Sequence, residues 1–217
     1  DKNHPIVTAV AGLSREMLIS INKYYPEIDI LGVNAYGFAP EVGEILKEYN
    51  WNKPYMITEF GPVGFWEIQD KTEWGAPIEE TSHQKAERYA LAQANALNNP
   101  SCLGTFPFMW GNKQEKTSTW FGMFLPDGQK LESVDEIAKS WKGEYPKNRV
   151  PRIIDIKSEA NNKIVISGSK NKAIVNVVNY NNQKYENQDR TELKYNWLIM
   201  DESKAESKGG EFEETPK

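Results

Sequence analysis

Through roughly residue 143 the chain alternates short apolar runs rich in branched residues with amphipathic stretches, the pattern of βα units that support a parallel sheet. Residues 5–10 (Pro-Ile-Val-Thr-Ala-Val), 28–35, 54–58 (Pro-Tyr-Met-Ile-Thr) and 102–109 read as the strands. Runs this apolar need cover on both faces. Helices fit the intervals between them. Ser14 is placed to cap one through Met17, Leu18 and Ile21, and Pro40 stands where a first-turn proline is tolerated, ahead of Val42, Ile45, Leu46 and Tyr49 at helical spacing. Thr81-Ser82-His83-Gln84 reads as a capping box opening a helix through Ala86, Tyr89, Ala90 and Ala94. Ser133 to Glu136 reads as a second box, opening a helix that Gly143 closes. Between the third strand and its helix, residues 59–80 form an irregular stretch holding Gly61, Pro62, Gly64, Trp66, Trp74, Gly75 and Pro77. A loop that long inside a compact domain is usually functional.

Four such units make about half of the ~250 residues of a closed (β/α)8 TIM barrel. Residues 1–146 are therefore predicted to be α/β, half of such a barrel, with a self-contained four-stranded sheet as the alternative. After Pro146 the pattern changes: residues 153–156, 163–167, 173–180 and 192–200 read as short strands separated by Asn, Gly, Lys and Asp. Leu193, Tyr195, Trp197 and Ile199 alternate with Lys194, Asn196, Leu198 and Met200, the period of a sheet with one face in a core. Residues 147–217 are thus predicted to be a partial all-β, immunoglobulin-like sandwich, shorter than the ~100 residues of a whole one. Residues 201–217, acidic and rich in Lys and Gly, read as a connector or an unfinished strand and loop. The sequence holds no internal repeat.

Composition narrows the chemistry. Lys and Arg number 26 against 31 Asp and Glu, a net charge of -5 that offers no large basic surface for nucleic acid. No apolar run approaches the ~20 residues that span a bilayer. One cysteine and two histidines exclude an intrachain disulfide and a multi-histidine metal site, and no metal or cofactor is expected. The chain lacks a Gly-x-Ser-x-Gly elbow, which sets aside an α/β-hydrolase triad. What remains is carboxylates, hydroxyls, amides and aromatic rings. The seven Trp and ten Tyr include flat faces suited to sugar rings, although core packing accounts for well over half of such residues. The chain opens Asp1-Lys2-Asn3-His4-Pro5, without a start methionine or signal-peptide pattern. It is expected to be an internal piece of a longer protein.

In a βα barrel the reacting groups stand at the C-terminal ends of strands. Those positions are Asn34, Tyr36, Glu59 and Trp110. Glu59 precedes Phe60-Gly61-Pro62, a corner that turns the backbone away and leaves a carboxylate at the mouth. There it is either a nucleophile for an anomeric carbon or a salt-bridged surface glutamate. Tyr36, one unit earlier, is either a phenol that orients that carboxylate or an ordinary rim tyrosine. Trp110 is either a floor under a sugar ring or a plug of the barrel end. Asn34 is placed to bind a sugar hydroxyl or to cap the next turn. Trp66 and Trp74, in the long loop, are candidates for stacking on sugars at outer subsites. Glu67, Glu73, Glu79 and Glu80 of that loop read as rim or structural groups.

The succession Gly32-Val33-Asn34-Ala35-Tyr36, then Pro54-Tyr55-Met56-Ile57-Thr58-Glu59-Phe60-Gly61, then a strand-end tryptophan resembles the second half of the clan A retaining glycoside hydrolases. The likeness is greatest to family-two-like bacterial enzymes and extends to β-1,3-glucanosyltransferases. It covers about residues 1–145 and implies strands five to eight of the barrel. It also implies Glu59 as nucleophile, Tyr36 as its partner and Trp110 at the end of strand eight. In that clan the acid/base is a glutamate ending strand four, which this chain does not include, so the missing N-terminal half-barrel of the same protein is an implied partner. Residues 189–197 resemble PKD-type and cadherin-like sandwich modules of bacterial carbohydrate enzymes. The resemblance implies hydrolysis or transglycosylation of a β-linked glucan or related polysaccharide in a secreted, periplasmic or cell-surface setting. The alternative is a carbohydrate-binding or cell-surface scaffold with a degenerate barrel.

Overall fold

A computed structural model describes residues 3–180, 192–205 and 212–216. Its elements follow the order β1 (Val7–Ala11), α1 (Arg15–Tyr24), β2 (Ile30–Asn34), a 3-10 turn (Ala39–Glu41), α2 (Val42–Glu48), β3 (Tyr55–Phe60), α3 (Ser82–Asn98), β4 (Cys102–Pro107), α4 (Glu132–Lys142), β5 (Arg152–Ser158) and β6 (Ala173–Val178). The first four strands form one sheet in the order β1-β2-β3-β4, and every neighbouring pair is parallel. That is the arrangement predicted from the alternation of apolar runs with amphipathic stretches.

The helices pack on one face of this sheet. Leu31, Val33, Tyr55 and Ile57 project from the two central strands and meet Leu18 and Ile21 of α1, Val42 and Leu46 of α2, Tyr89, Ala92 and Ala96 of α3 and Ile137 of α4 in a single core. On the other face Val7, Leu103 and Phe106 are about half exposed. No helix among the described residues covers them, and the edges of β1 and β4 carry no strand partner there.

Local signals account for several of the helix ends. Ser14 accepts a hydrogen bond from the Met17 amide at 3.2 Å and starts α1. The capping box at Thr81 forms in full: the Gln84 amide donates to the Thr81 hydroxyl and the Thr81 amide donates to the Gln84 side chain. Gly143 ends α4 in a left-handed conformation, φ 79°. Pro40 falls in the 3-10 turn that leads into α2.

The second predicted capping box does not form. α4 begins at Glu132 with Leu131 as its cap and no side-chain cap bond. The buried Glu132 carboxylate accepts from Arg152 Nε at 2.6 Å, which fixes the helix start two residues earlier than the Ser133 signal suggests. Glu136 turns instead to the Tyr145 hydroxyl at 3.0 Å.

Beyond residue 146 only part of the sandwich pattern appears. β5 and β6 pair antiparallel. Residues 163–167 are not a strand: the backbone turns at 158–163, the Ile164 amide donates to the Glu73 carboxylate at 2.6 Å, and Ile166 is exposed. Residues 192–200 also lack ladder pairing. Leu193, Tyr195 and Trp197 lie along an apolar hollow with Ile153, Ile156, Val175 and Val177, but Ile199 is 99% exposed. A period-two pattern buries one face only when a second sheet covers it, and the described residues supply two strands here. Residues 189–191 and 206–211 lie outside the described residues.

Replacing Thr81 with Ala removes a reciprocal cap and is expected to lower stability by about 1 kcal/mol. Replacing Ser133 with Ala removes no cap bond. Chemical denaturation should show the larger loss of stability for Thr81→Ala.

Candidate functional site

The site is built by a break in strand alternation. Val33 of β2 pairs with Ile57 of β3, but the next pair is Asn34 with Glu59. One extra residue, Thr58, is therefore accommodated in β3. Tyr55 and Ile57 are buried, Thr58 and Glu59 are both partly exposed, and Phe60 is buried again. In an unbroken strand Glu59 would share the face of Tyr55 and Ile57, inside the helix-covered core. The bulge rotates it out of that core and aims it at the strand mouth. The Thr58 hydroxyl donates to Asn34 Oδ1 at 2.7 Å and fixes the asparagine beside it.

Glu59 then meets Tyr36. The phenol donates to Glu59 Oε2 at 2.8 Å, from the first turn after the neighbouring strand. Edge-on rings hold the phenol from three sides: Trp66 at 5.3 Å, Phe108 at 5.9 Å and Phe121 at 5.2 Å between centroids. Burial, and then the hydrogen bond to Glu59, push the Tyr36 pKa above the ordinary tyrosine range. The phenol therefore keeps its proton and acts as a donor at neutral pH.

The pair opens into a cleft of about 480 Å³ lined by Ala11, Gly12, Asn34, Tyr36, Phe38, Glu59, Trp66, Glu67, Phe108 and Glu115. Three of its walls come from strand ends and the fourth from the loops after β3 and β4. These loops hold each other through a second apolar cluster of Phe65, Trp120 and Phe121, and the Trp120 indole donates to the Val63 carbonyl at 3.0 Å. Behind them Lys85 of α3 is buried against Glu79 and donates to the Thr119 carbonyl at 2.6 Å. Burial lowers its pKa, an effect that Glu79 opposes.

Four of the six residues predicted from sequence come together: Glu59, Tyr36, Asn34 and Trp66 all line this cleft. Trp110 does not. β4 ends at Pro107, so the first residue past the strand is Phe108, which occupies the wall expected of Trp110. The Trp110 indole lies instead on Trp141 at 6.1 Å and against Phe124. Trp74 also lies elsewhere in the long loop, its indole donating to Glu202 at 3.0 Å. A proline in the sequence 102–109 was the available signal for the earlier strand end.

Phe108 and Glu115 are among the cleft residues that sequence did not single out, with Ala11, Gly12 and Phe38. Phe108 is held through its carbonyl, which accepts from the buried Tyr89 hydroxyl of α3. Gly61 lies in the same corner, and a Cβ there would stand 3.0 Å from that carbonyl and 3.1 Å from the Tyr89 oxygen. Glu115 sits in the polar run Lys113-Gln114-Glu115-Lys116, which looks like a solvated loop, yet it is 1% exposed and paired with Lys113 at 2.8 Å. No group of three or more His, Cys, Asp or Glu among the described residues is arranged to hold a metal ion. No helix among them is long and apolar enough to cross a membrane.

Compared by sequence, the chain matches no protein-family model and no curated protein. Compared by structure, it is similar to Bacteroides uniformis β-glucuronidase 2 covalently bound to cyclophellitol-6-carboxylate aziridine, with a TM-score of 0.50 and 14% identity over 70% of this chain. A second structure of Bacteroides uniformis β-glucuronidase gives a TM-score of 0.50 and 14% identity over the same 70% share. The chain shares its fold with part of a β-glucuronidase. It spans 19% of the length of those proteins.

Tyr36, Tyr55 and Tyr89 all have pKa values raised, chiefly by burial. The folded protein thus keeps protons that the unfolded chain releases above a tyrosine pKa of about 10. Their contribution is fully present below about pH 10 and is lost as pH rises beyond it. Denaturation midpoints should fall between about pH 10 and 11.5, and Tyr36→Phe should flatten that fall. A Tyr36→Phe profile as steep as the parent's would show that this phenol does not titrate with folding.

Proposed function

We propose that the protein is an internal piece of a retaining O-glycosidase or transglycosylase, with residues 1–146 forming strands five to eight of its TIM barrel. The observation that carries the proposal is the 2.8 Å hydrogen bond from Tyr36 to Glu59 at the mouths of adjacent parallel strands, inside a cleft walled by an indole. A shared fold with part of a glycosidase supports it. The helix-free sheet face with exposed Val7, Leu103 and Phe106 supports an N-terminal half-barrel as the partner that covers it.

In this reading Glu59 attacks the anomeric carbon, forming a glycosyl ester as the bond to the leaving oxygen breaks. The leaving oxygen takes its electron pair and a proton from an acid outside this chain. The same group, now a base, then removes a proton from water or an acceptor hydroxyl, which attacks the anomeric carbon and releases Glu59. Tyr36 holds one carboxylate oxygen so that the other faces the sugar. Trp66 offers a ring to the apolar face of the pyranose.

The neighbours are named for β-glucuronides, but the cleft here carries Glu59, Glu67 and Glu115 and no lysine or arginine among its lining residues. Carboxylates accept hydrogen bonds from sugar hydroxyls and repel a sugar acid. This favours a neutral glycosyl unit, as in a β-linked glucan. The antiparallel pair β5–β6 supports reading residues 147–217 as part of a PKD- or cadherin-like module. An enzyme of that build belongs in a secreted, periplasmic or cell-surface setting.

Glu59→Ala in the full-length protein should lower turnover of a β-glucoside by at least about 10³-fold. Added azide should restore part of that turnover and give product of inverted anomeric configuration. Near-normal turnover by the variant would remove Glu59 as the nucleophile. The present chain alone should be a poor catalyst, since an absent general acid costs about 10² to 10⁴ in rate.

A further inference from the structure

We infer that Glu67 is a positioning residue that sets the Tyr36–Glu59 pair, an inference whose catalytic consequence rests on the glycosidase reading above. One carboxylate oxygen, Glu67 Oε2, accepts from two backbone amides: Gly37 at 2.9 Å and Gly64 at 2.7 Å. Gly37 directly follows Tyr36. Gly64 opens the turn that carries Trp66, and this turn is closed by the Glu67 amide donating to the Gly64 carbonyl at 2.8 Å. A single atom thus ties the corner after β2 to the long loop after β3.

The sequence around the tie is shaped for it. A Cβ on Gly37 would stand 3.0 to 3.1 Å from the Glu67 carboxylate, and a Cβ on Gly64 would stand 2.5 Å from the Trp66 indole. Glycine at 37 lets its amide approach the carboxylate closely enough to donate, and glycine at 64 leaves room for the Trp66 indole beside the tie. Amide bonds to an ionised carboxylate are short and roughly twice as strong as neutral ones. The tie therefore holds the Tyr36 corner more firmly than the turn bond from the Ala39 amide to the Tyr36 carbonyl at 3.0 Å would alone.

What the tie controls is direction. The phenol must keep its oxygen 2.8 Å from Glu59, and a hydrogen bond weakens steeply once its distance and angle drift. The ring of Trp66 meets Tyr36 edge-on at 5.3 Å, so the loop that Glu67 anchors is also the wall against which the phenol leans. Loss of the tie frees both at once. Glu67 acts here through Tyr36, and its carboxylate is engaged by backbone rather than offered as an acid.

Two measurements test this. In the 217-residue chain, the slowly exchanging hydroxyl proton of Tyr36, identified by its disappearance in Tyr36→Phe, should be lost from the NMR spectrum of Glu67→Ala and retained in Glu67→Gln. The glutamine carbonyl can still accept from both amides. In the full-length protein, Glu67→Ala should lower kcat by at least about tenfold with KM changed by less than about threefold, the scale expected when a reacting group is misplaced. Glu67→Gln should recover most of that loss, and Glu67→Ala added to Tyr36→Phe should cost little more than Tyr36→Phe alone.

A hydroxyl signal that survives Glu67→Ala would overturn the inference. So would a loss confined to KM, or a Gln variant as impaired as the Ala variant, since either would mean that the carboxylate meets the sugar directly. If Glu67→Ala does not fold, Glu67→Asp, which keeps the charge and shortens the reach, replaces it with the same expectations. Turnover that survives Glu59→Ala would defeat the glycosidase reading and leave the spectroscopic result to decide the tie on its own.

Discussion

One extra residue in β3 governs the site. A regular strand would send every second side chain from Tyr55 onward into the helix-covered face, and Glu59 would be a buried charge in an apolar core. Such a burial costs several kcal/mol unless paired. The bulge at Thr58 exchanges that outcome for another: Phe60 takes the core position, fully buried, and Glu59 is delivered to the mouth beside Asn34. The strand continues to pair on both sides of the irregularity, with the Ala35 amide donating to the Glu59 carbonyl at 2.8 Å and the Phe108 amide to the Phe60 carbonyl at 2.7 Å. The backbone of the catalytic candidate is therefore as rigid as the sheet, while its side chain is free to face a cleft.

A rigid carboxylate still needs walls that do not move, and those come from loops. Loops carry backbone groups that must find partners, and here the partners are supplied by a few buried anchors. Tyr89 reaches from α3 to the Phe108 carbonyl. Lys85 reaches from the same helix to Glu79 and the Thr119 carbonyl, joining the loop after β3 to the loop after β4. The Thr119 hydroxyl closes the set by donating to Glu79 at 2.8 Å. α3 thus works as a post to which both cleft-forming loops are fastened, and its complete capping box keeps the end nearest those loops from fraying.

How much of this was legible in sequence differs by the kind of interaction. The parallel sheet was readable because short apolar runs alternate with amphipathic stretches along the chain, and the Thr81 cap because Thr and Gln at that spacing satisfy each other locally. Tyr36 and Glu59 were readable because strand ends are fixed by the runs that precede them. Trp110 was misplaced because the end of β4 depends on Pro107, a single residue inside a run that otherwise looks continuous. The Ser133 box failed because a long-range partner, Arg152, outweighed a local signal. Glu115 left no trace at all: its burial results from loop packing, and nothing in Lys-Gln-Glu-Lys distinguishes it from a solvated stretch. The spacing Tyr55-Ile57-Phe60 did hold the bulge, as two buried positions two apart followed by one three apart.

The charge arrangement of the cleft bears on what the chain can do by itself. Double displacement needs one carboxyl that attacks and one that gives a proton to the leaving oxygen. Glu59 has a donor, Tyr36, directed at one oxygen, which suits a group that must present the other as a base or nucleophile. Glu67 and Glu115 also line the cleft, but each faces donors of its own: two backbone amides for the first and the Lys113 ammonium for the second. In the glycosidase reading proposed above, the described residues supply the attacking carboxylate and its orienting phenol, and the proton donor comes from outside this chain. A sheet helix-covered on one face only, with Val7, Leu103 and Phe106 about half exposed on the other, leaves room for such a group to be supplied by further chain packed on the uncovered side.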